Sequence, residues 1–557
     1  MTVTTKLTSS LEKGFVNQNP EDFAPLTKIS ALRGERISMQ LFIKPGKTEN
    51  GEVYSFFLLT PRLTGKLAPY VALREVGNVP VETPVFTNKY DEHFISTEPG
   101  IYPDVLKPLT YVDKVTAKAN CLNSMWIDVT IPKDTELSGE CPLTIELVDE
   151  AGNVMSCDSV TIDVIPAALP EQELILTQWF HCDSLANYYR VPVWSEEHWA
   201  IVESFARTAY KNGINLLLTP TFTPSLDTAI GGERLTNQLV GVTKKGDDYI
   251  FDFTLLDRWV DMCDRIGIKY FEIAHFFTQW GAKHAPKVMA TVDGEYKKIF
   301  GWETSATDPE YTKFLRSFIT EFLAHMKKNG NDKRCFFHIS DEPQLEHLEF
   351  YKAAKASIAD LLEGYPIMDA LSHYEFYADG IVDLPIPVND HIEPFIEHNV
   401  PNLWTYYCCG QSIGVSNRLI AMPSARNRSI GMQMFKYDIV GFLQWGYNFY
   451  NTQSSISEVN PFLDVSGGHW VPAGDAFSVY PGLNGEALES LRILVFHDAI
   501  QDISAMKLCA SLYSKEEVVK AIEEVLGTTL TFSVCAYEAK TMLAIRERIN
   551  EMIKARL

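Results

Sequence analysis

The chain has 557 residues, of which 46% are hydrophobic, 12% aromatic and 22% charged, a composition typical of a folded globular protein of about two to four domains. Its formal charge of -23, from 49 basic and 72 acidic residues, disfavours nucleic acid as a partner and favours a neutral ligand over an acidic polymer. No apolar run of about 18 residues indicates a membrane span or a membrane partner.

The N-terminus indicates a location for the protein. Residues 1–10 lack the apolar stretch of about 7 to 15 residues that a secretion signal needs. The ten cysteines are scattered along the chain without a CxxC pair, which favours reduced thiols. We therefore expect a cytoplasmic protein, or a secreted one if a signal has been removed from this chain.

The N-terminal part of the chain is rich in strand patterns. Apolar and polar residues alternate most clearly over 35–43, 70–76, 124–131 and 143–148, and turn residues separate these runs at short intervals. This spacing is typical of an antiparallel sandwich. We predict an N-terminal β-sandwich over residues 1–165, followed by a proline-containing linker over 165–173.

From Leu174 onward, short apolar strands alternate with longer amphipathic helices. The strands begin near residues 175, 215, 269, 335, 367, 386, 402 and 440, and the clearest helices cover 195–211, 255–265, 309–328 and 346–362. Eight strands in this rhythm predict a (β/α)8 TIM barrel over 174–484, with a helical extension over 485–557 packed on it. The predicted fold class is therefore a multidomain β plus α/β protein.

An adjacent pair of carboxylates, Asp341 and Glu342, ends the fourth predicted strand. Reacting groups of such barrels stand at the C-terminal ends of strands, so this position favours a catalytic interpretation. Strand alternation would place His338, Ser340 and Glu342 on one side and Asp341 on the other, unless the strand end bends. A helix-capping role is the alternative, because Pro343 suits a first helical turn.

A conventional glycosidase needs a second carboxylate from another strand end, and the seventh and eighth predicted strands end without one. Glu375 and Asp390 remain possible but fall in predicted loops. If the protein supplies no nucleophile, the carbonyl oxygen of a 2-acetamido group on the substrate can attack the anomeric carbon. One carboxyl then protonates the leaving oxygen while its neighbour holds the acetamido N–H, since like charges let one of them keep its proton.

The residues that carry a family resemblance run nearly end to end through the chain. They cover 33–41, 74–81, 99–106, 337–343, 404–409, 441–448 and 474–482, and only the Asp-Glu-Pro strand among them is chemically specific. The chain resembles glycoside hydrolase family 123, whose characterised members are β-N-acetylgalactosaminidases that use an Asp-Glu pair by substrate assistance. The stretch 491–503 departs from the family's Arg-rich C-terminal pattern, which puts local packing there in doubt.

The resemblance implies a role for each member of the pair. Asp341 would orient the 2-acetamido group, and Glu342 would be the general acid/base. Tyr406 matches the tyrosine of the seventh strand and would hydrogen-bond the acetamido carbonyl. An ordinary barrel-wall position is the alternative interpretation of Tyr406.

Further substrate-binding candidates lie near the strand ends. Trp445 has the right type to stack on a sugar face, and His275 and Asn448 would bind hydroxyl groups. A glycine-rich loop over 467–477 would cover the site and bring Trp470, Asp475 and His469 to the substrate. Structural packing and hydrogen bonding in the barrel mouth are the alternative for each of these residues.

Several sequence patterns of other chemistries are missing from the chain. It contains no HExxH, paired Cys/His spacing or EF-hand loop, and no GxSxG elbow or Gly-rich nucleotide fingerprint, so we predict neither metal nor cofactor. The Cys408-Cys409 pair is interpreted as packing, since the sequence places no base beside it.

The predicted function is therefore an exo-glycosidase that removes terminal β-linked N-acetylgalactosamine from a glycan or oligosaccharide by a retaining, substrate-assisted mechanism. A β-N-acetylglucosaminidase of the same mechanism is one alternative, because the acetamide serves either sugar. A non-catalytic carbohydrate-binding barrel is the other. The sequence predicts no oligomeric state.

Overall fold

A computed structural model describes residues 3–46, 56–109 and 113–557 of the chain. Every predicted site residue lies in these ranges, whereas the predictions for residues 1–165 and for the N-terminus extend in part to residues outside them. No helix in the described ranges has both the length and the apolar character that a bilayer crossing requires.

Ten strands form a β-rich N-terminal region in the described part of the chain. They are β1 Val3–Ser9, β2 Lys28–Arg33, β3 Arg36–Pro45, β4 Phe56–Thr64, β5 Val71–Val81, β6 Gly100–Lys107, β7 Val115–Lys118, β8 Asn123–Thr130, β9 Gly139–Val148 and β10 Val154–Ala168. They make two five-stranded sheets, in the orders β1-β3-β8-β5-β6 and β2-β10-β9-β4-β7. Neighbouring strands are antiparallel except β2 and β10, which are parallel.

Successive residues of β8 point into two different cores. Ile127 packs with Met39 of β3 and Ile162 of the other sheet in a cluster between the two sheets. Trp126 points the opposite way, into the large apolar core of the rest of the chain. Both faces of this central strand are therefore buried, one of them apolar and the other combining Trp126 with Asp128, which pairs with Arg74.

The predicted linker begins inside a strand. Strand β10 continues to Ala168, because its parallel ladder with β2 extends through the pairing of Ile165 with Leu32 and, after a bulge, of Ala168 with Arg33. Proline at position 166 is accommodated at this irregularity, where the ladder does not need its missing N–H.

The second part of the chain contains all eight strands that the sequence predicts, together with two additional groups of strands. In chain order these strands are β11 Ile175–Gln178, β12 Leu216–Thr219, β13 Gly241–Lys245, β14 Asp248–Asp252, β15 Tyr270–Ile273, β16 Val288–Val292, β17 Glu295–Phe300, β18 Cys335–Phe336, β19 Met368–Leu371, β20 Leu384–Pro387, β21 Trp404–Tyr406, β22 Gly441–Gln444, β23 Val479–Pro481 and β24 Ala487–Glu489. Strands β13, β14, β16 and β17 form a separate small sheet, and β23 pairs with β24.

The eight predicted strands form three parallel ladders, β11-β22-β21, β12-β15-β18 and β19-β20. Parallel bridges join the ladders at Phe337 with Ile367 and at Val388 with Tyr406. Asn215 N donates to Leu176 O at 3.1 Å between the starts of β12 and β11. Since neighbouring strands run in one direction, their C-terminal ends lie on one side of the molecule.

The helices of the described residues are α1 Cys182–Tyr189, α2 Glu196–Lys211, α3 Thr254–Ile266, α4 Pro309–Lys327, α5 Leu348–Ala356, α6 Glu375–Ala378, α7 Glu393–Glu397, α8 Ser424–Arg428, α9 Ile430–Lys436, α10 Leu491–Leu512, α11 Lys515–Leu526 and α12 Ala539–Lys554. Ser195 caps α2 by accepting from His198 N, as the Ser-Glu-Glu opening predicts. The helix predicted over 346–362 is shorter, because α5 ends at Ala356 and Arg316 of α4 donates to the Ser357 carbonyl at 3.0 Å. Residues 485–557 are mostly helical, in agreement with the predicted pattern.

Candidate active site

A cavity lies at the C-terminal ends of the parallel strands. Side chains from several strand ends line it: Trp179 and His181 after β11, Asp227 after β12, Asp341 and Glu342 after β18, Tyr406 at the end of β21, and Trp445 after β22. Both carboxylates that the sequence singled out therefore face one enclosed space.

A bend at the end of the fourth parallel strand brings both carboxylates to the cavity. Residues 335–340 are all buried, on both sides of the strand. Glu342 then adopts a backbone φ of 41°, in the left-handed region that a non-glycine residue enters at a cost of about 1–3 kcal/mol. Trp280 N donates to Asp341 O at 2.8 Å and supports the bent segment.

The environment of the pair favours one shared proton. Burial raises the pKa of Asp341 well above its ordinary value, and the charge of Glu342 raises it further. Burial also raises the pKa of Glu342, but the Tyr406 hydroxyl, which donates to Glu342 Oε1 at 2.7 Å, opposes this increase. Both shifts favour a protonated carboxyl in the pair, and the Tyr406 hydroxyl favours the anionic form of Glu342.

A buried imidazole lies beneath the pair between two further carboxylates. His338 Nε2 is 2.8 Å from Glu272 Oε1, and its Nδ1 is 3.0 Å from Asp369 Oδ1. Although burial lowers it, the hydrogen bonds to Asp369 and Glu272 raise the pKa of His338 to about 9. His338 is therefore a cation at neutral pH, and its charge lowers the pKa of Asp341.

Among the described residues, one buried cluster has side chains of the types that bind metal ions. It consists of His275, His338 and Asp369, whose ligand atoms lie within 4.8 Å of one another. A protonated His338 with both nitrogens donating to carboxylates has no lone pair for a metal. Burial holds the pKa of His275 far below its usual value, and its ring stacks on His338 at 4.1 Å between ring centres. His338 is held by hydrogen bonds to Glu272 and Asp369, which a metal ion at this cluster would have to replace.

Three of the predicted substrate-binding residues, Tyr406, Trp445 and Trp470, line the cavity. The rings of Trp445 and Trp470 pack together with centres 5.5 Å apart. Asp475 is fully buried and accepts from Trp445 Nε1 at 2.9 Å, so it contacts the cavity wall rather than the cavity. Burial raises the pKa of Asp475 to about 6, against the opposing charge of Arg418.

His275, Asn448 and His469 do not belong to the cavity lining of the described residues. His275 is in the interior, where neither ring nitrogen has a hydrogen-bond partner among the described residues. Asn448 holds the backbone of His181, accepting from its N–H at 2.9 Å and donating to its carbonyl at 3.0 Å. His469 lies 3.4 Å from the carboxylate of Glu82 in the N-terminal region. Their predicted contacts with substrate remain predictions.

The structure adds His181 to the site, which the sequence analysis did not select. Its Nε2 lies 3.0 Å from Trp445 O, and its Nδ1 lies 3.1 Å from Arg234 Nη2. Burial and the charge of Arg234 lower the pKa of His181 to about 3. It is therefore a neutral imidazole that donates from Nε2 and accepts at Nδ1, while Arg234 pairs with Asp183 at 2.7 Å.

Asp227 and Trp280 also line the cavity and were not predicted. Both lie in long loops, between β12 and β13 and between β15 and β16, and both have positive φ, 45° and 58°. The sequence of a long polar loop contains no pattern that predicts which of its carboxylates will lie next to the end of another strand. The only sequence feature that pointed to these two residues was the position of each loop directly after the C-terminal end of a predicted strand.

The thiol of Cys408 does not qualify as a nucleophile. Both Cys408 and Cys409 line the cavity, although the sequence analysis interpreted them as packing residues. The adjacent Cys409 side chain, burial and the charge of Glu342 raise the pKa of Cys408 well above its ordinary value. It is therefore a protonated thiol at neutral pH, and the thiolate is the reactive form.

Comparison with known proteins places these observations in a family context. The model described as "Glycoside hydrolase 123, catalytic domain" matches residues 179–509. A family 123 glycoside hydrolase from Clostridium perfringens has a similar structure, with a TM-score of 0.74 and 13% identity over 100% of this chain and 98% of that one. At this identity the similarity concerns the fold.

Two further solved structures are less similar to this chain. An endo-β-1,4-mannanase from Thermotoga petrophila has a TM-score of 0.34 and 12% identity, covering 60% of this chain and 77% of that one. A β-glucuronidase from Parabacteroides merdae has a TM-score of 0.31 and 10% identity, covering 90% and 52%. No curated protein matches the chain at the sequence level.

Proposed function

The chain belongs to glycoside hydrolase family 123, and from this premise we propose that it removes a terminal β-linked N-acetylgalactosamine by substrate-assisted catalysis. The observation that carries the proposal is the juxtaposition of Asp341, Glu342 and Tyr406 in one cavity. A glycan or oligosaccharide that ends in a 2-acetamido sugar is the proposed partner. The report on the Clostridium perfringens protein describes glycolipid glycan hydrolysis by that enzyme.

Substrate binding redistributes the shared proton in this proposal. The acetamido N–H donates to Asp341, which must be anionic to accept it. The glycosidic oxygen accepts from Glu342, which must be protonated to donate. The Tyr406 hydroxyl, which stabilises the Glu342 anion in the empty cavity, turns to the acetamido oxygen and so releases Glu342 to hold the proton.

The reaction then needs no nucleophile from the protein. The acetamido oxygen forms a bond to C1 while the bond between C1 and the leaving oxygen breaks, and Glu342 transfers its proton to that oxygen. Anionic Asp341 stabilises the positive oxazolinium ring. Water then adds to C1, Glu342 takes a proton from this water, and the ring reopens to the acetamide with retained β configuration.

The surroundings of the two carboxyl groups support the different roles of Asp341 and Glu342. Burial and the charge of Glu342 raise the pKa of Asp341, and the His338 cation between Glu272 and Asp369 opposes this increase. Once Glu342 holds the proton and the acetamido N–H donates to Asp341, this cation supports the anionic form that the acetamide requires. The raised pKa of Glu342 favours the protonated form that a general acid requires near neutral pH.

The proposed architecture is an N-terminal β-sandwich over 1–165, a (β/α)8 barrel over 174–484 and a helical extension over 485–557. Two sheets that share one apolar cluster support the sandwich. Three parallel ladders, joined by two parallel bridges and by the hydrogen bond between Asn215 and Leu176, support closure of the barrel.

Paired assays test the proposed function. Wild-type protein should hydrolyse the 4-nitrophenyl β-glycoside of N-acetylgalactosamine, and a stable thiazoline mimic of the oxazoline should inhibit it competitively. Faster cleavage of the N-acetylglucosamine glycoside would favour the alternative substrate. Binding of the sugar without hydrolysis would favour the carbohydrate-binding alternative, and efficient cleavage of glycosides that lack the acetamide would overturn the mechanism.

A further inference from the structure

Asp227 is a third carboxylate in the cavity, and the mechanism proposed above does not use it. Its side chain faces the cavity together with those of Asp341 and Glu342. Among the described residues no hydrogen-bond donor reaches its carboxylate, whereas Asp475 accepts from Trp445 and Glu342 accepts from Tyr406. The Asp227 side chain is partly buried, so its carboxylate is open to a donor from a ligand in the cavity.

The backbone around Asp227 is held firmly by neighbouring loops. Ser455 Oγ donates to the Asp227 carbonyl at 2.7 Å, and Gln279 Nε2 donates to the Thr228 carbonyl at 2.9 Å. On the other side, Arg234 Nη1 donates to the Leu226 carbonyl at 3.0 Å. Asp227 itself has a φ of 45°, a conformation that is unfavourable for aspartate and that this network maintains. The carboxylate is therefore preorganised toward the cavity.

The electrostatic environment of Asp227 argues against a nucleophilic role. Burial raises the pKa of Asp227 to about 7, and the charges of Glu342 and Asp475 contribute in the same direction, while Arg234 opposes them. A carboxylate nucleophile must be anionic and is usually stabilised by donors from the protein. A group that needs a donor from outside is suited to accept a hydrogen bond from a sugar hydroxyl.

We propose that Asp227 is a specificity-determining residue that accepts a hydrogen bond from a hydroxyl group of the bound sugar remote from the anomeric carbon. The inference rests on the proposed function, in which Asp341 and Tyr406 hold the C2 acetamide and Glu342 faces the C1 oxygen. These three residues end β18 and β21, whereas Asp227 follows β12. The hydroxyls at C3, C4 and C6 are the remaining donors of the sugar.

A deoxy-sugar series tests this assignment. Wild-type protein and the Asp227→Asn variant are assayed with the 4-nitrophenyl β-glycoside of N-acetylgalactosamine and with its 3-, 4- and 6-deoxy analogues. We expect Asp227→Asn to lower kcat/KM on the parent substrate by about 10- to 100-fold, mainly through KM, because a hydrogen bond to a charged acceptor is lost. With wild-type protein, kcat/KM of one deoxy analogue should be lower than that of the parent substrate by a similar factor. With the variant, that analogue and the parent substrate should give the same kcat/KM.

Two further variants control the experiment. Asp227→Glu keeps the carboxylate and should recover part of the loss, and Asp379→Asn, an exposed aspartate outside the cavity lining, should behave as wild type. Melting temperatures no lower than that of the wild-type protein establish that the variants are folded. Losses of equal size on every analogue, or no loss at all, would overturn the assignment while leaving the proposed function intact.

A different result would concern the reaction itself. Mass spectrometry of acid-quenched enzyme that finds a glycosyl ester on Asp227 would make this residue the nucleophile, and would overturn both the assignment and the substrate-assisted mechanism. Absence of hydrolysis of the parent substrate by wild-type protein would overturn the proposed function and, with it, this inference.

Discussion

Two regions of the molecule bury charged groups in opposite ways. Where the N-terminal region meets the rest of the chain, buried charges are paired with opposite ones: Asp104 contacts Arg492 at 2.9 Å, and Asp91 contacts Arg426 at 2.9 Å. In the cavity, Asp341 and Glu342 are adjacent carboxylates with like charge. The first arrangement stabilises the assembly of the two regions, and the second keeps protons available for chemistry.

The pKa values of the two regions differ accordingly. At the contact between the regions, burial alone would raise the pKa of Glu489, but the positive charges of Arg74 and Lys211 hold it at about 2. In the cavity, burial and neighbouring carboxylates raise the pKa of Asp227 to about 7. Burial is common to both groups, so the sign of the neighbouring charge decides the direction of the shift.

The largest expected effect is on activity, from the cavity side of the comparison. Asp341→Asn should lower kcat/KM by about 1,000-fold or more, because a neutral amide cannot stabilise the oxazolinium charge. The melting temperature should stay the same or rise, since a buried like charge is removed. Glu346→Gln, an exposed position in the same segment, is the control and should leave both quantities unchanged. A large loss of stability in Asp341→Asn would contradict the comparison.

The next effect is on stability, from the contact between the regions. Asp104→Asn should lower the free energy of unfolding by about 3–5 kcal/mol, because it leaves Arg492 buried without its partner. The kcat of the folded fraction should not change. Chemical denaturation measures the first quantity and the glycoside assay the second.

An exposed pair provides the control for that experiment. Lys28 and Glu140 lie 2.9 Å apart with more than half of each side chain exposed, so Glu140→Gln should cost less than about 1 kcal/mol. Equal losses from Asp104→Asn and Glu140→Gln would show that burial of the pair does not matter.

A smaller change is expected from Tyr406→Phe. The variant loses the hydroxyl that donates to Glu342, so the pKa of Glu342 should rise and the corresponding limb of the pH profile of kcat/KM should move to higher pH. We expect about a 10- to 100-fold loss in kcat, since the acetamide is no longer oriented. Tyr407→Phe is a matched control, because the Tyr407 hydroxyl contacts Asn427 and lies outside the cavity lining. An unchanged pH profile in Tyr406→Phe would show that the Tyr406 hydroxyl does not influence the pKa of Glu342.

The smallest effect is a pH-dependent gain in stability from Asp227→Asn. The folded pKa of Asp227, about 7, lies above its ordinary value, so the folded state binds the proton more tightly. The wild-type protein therefore loses stability from this group as pH rises from about 4 to 7. The variant should match wild type at pH 4 and be more stable than wild type at pH 8, as thermal unfolding at the two pH values can measure. A gain in stability of equal size at both pH values would show that the gain does not come from the ionisation of Asp227.

Much of the strand content was predictable because it depends on local patterns. All eight parallel strands lie where short apolar runs alternate with helices, and the cap of α2 follows from Ser195. The small sheet of β13, β14, β16 and β17 was not predicted, since its strands interrupt the strand-helix alternation and contain many charged residues. The end of β10 was misplaced, because it depends on a ladder with the distant strand β2.

The candidate site was likewise predictable from local patterns in one part and dependent on distant contacts in another. The sequence by itself identified Asp341 and Glu342 as the candidate catalytic pair, because they are adjacent and follow an apolar strand. The family resemblance added Tyr406, and Trp445 and Trp470 were selected by their strand-end and loop positions. Only the tertiary structure decided that a bend at Glu342 turns both carboxylates to one cavity and that Asp227 joins them. These outcomes depend on contacts between segments far apart in the chain, and on the burial that shifts each pKa, neither of which a local pattern of residues contains.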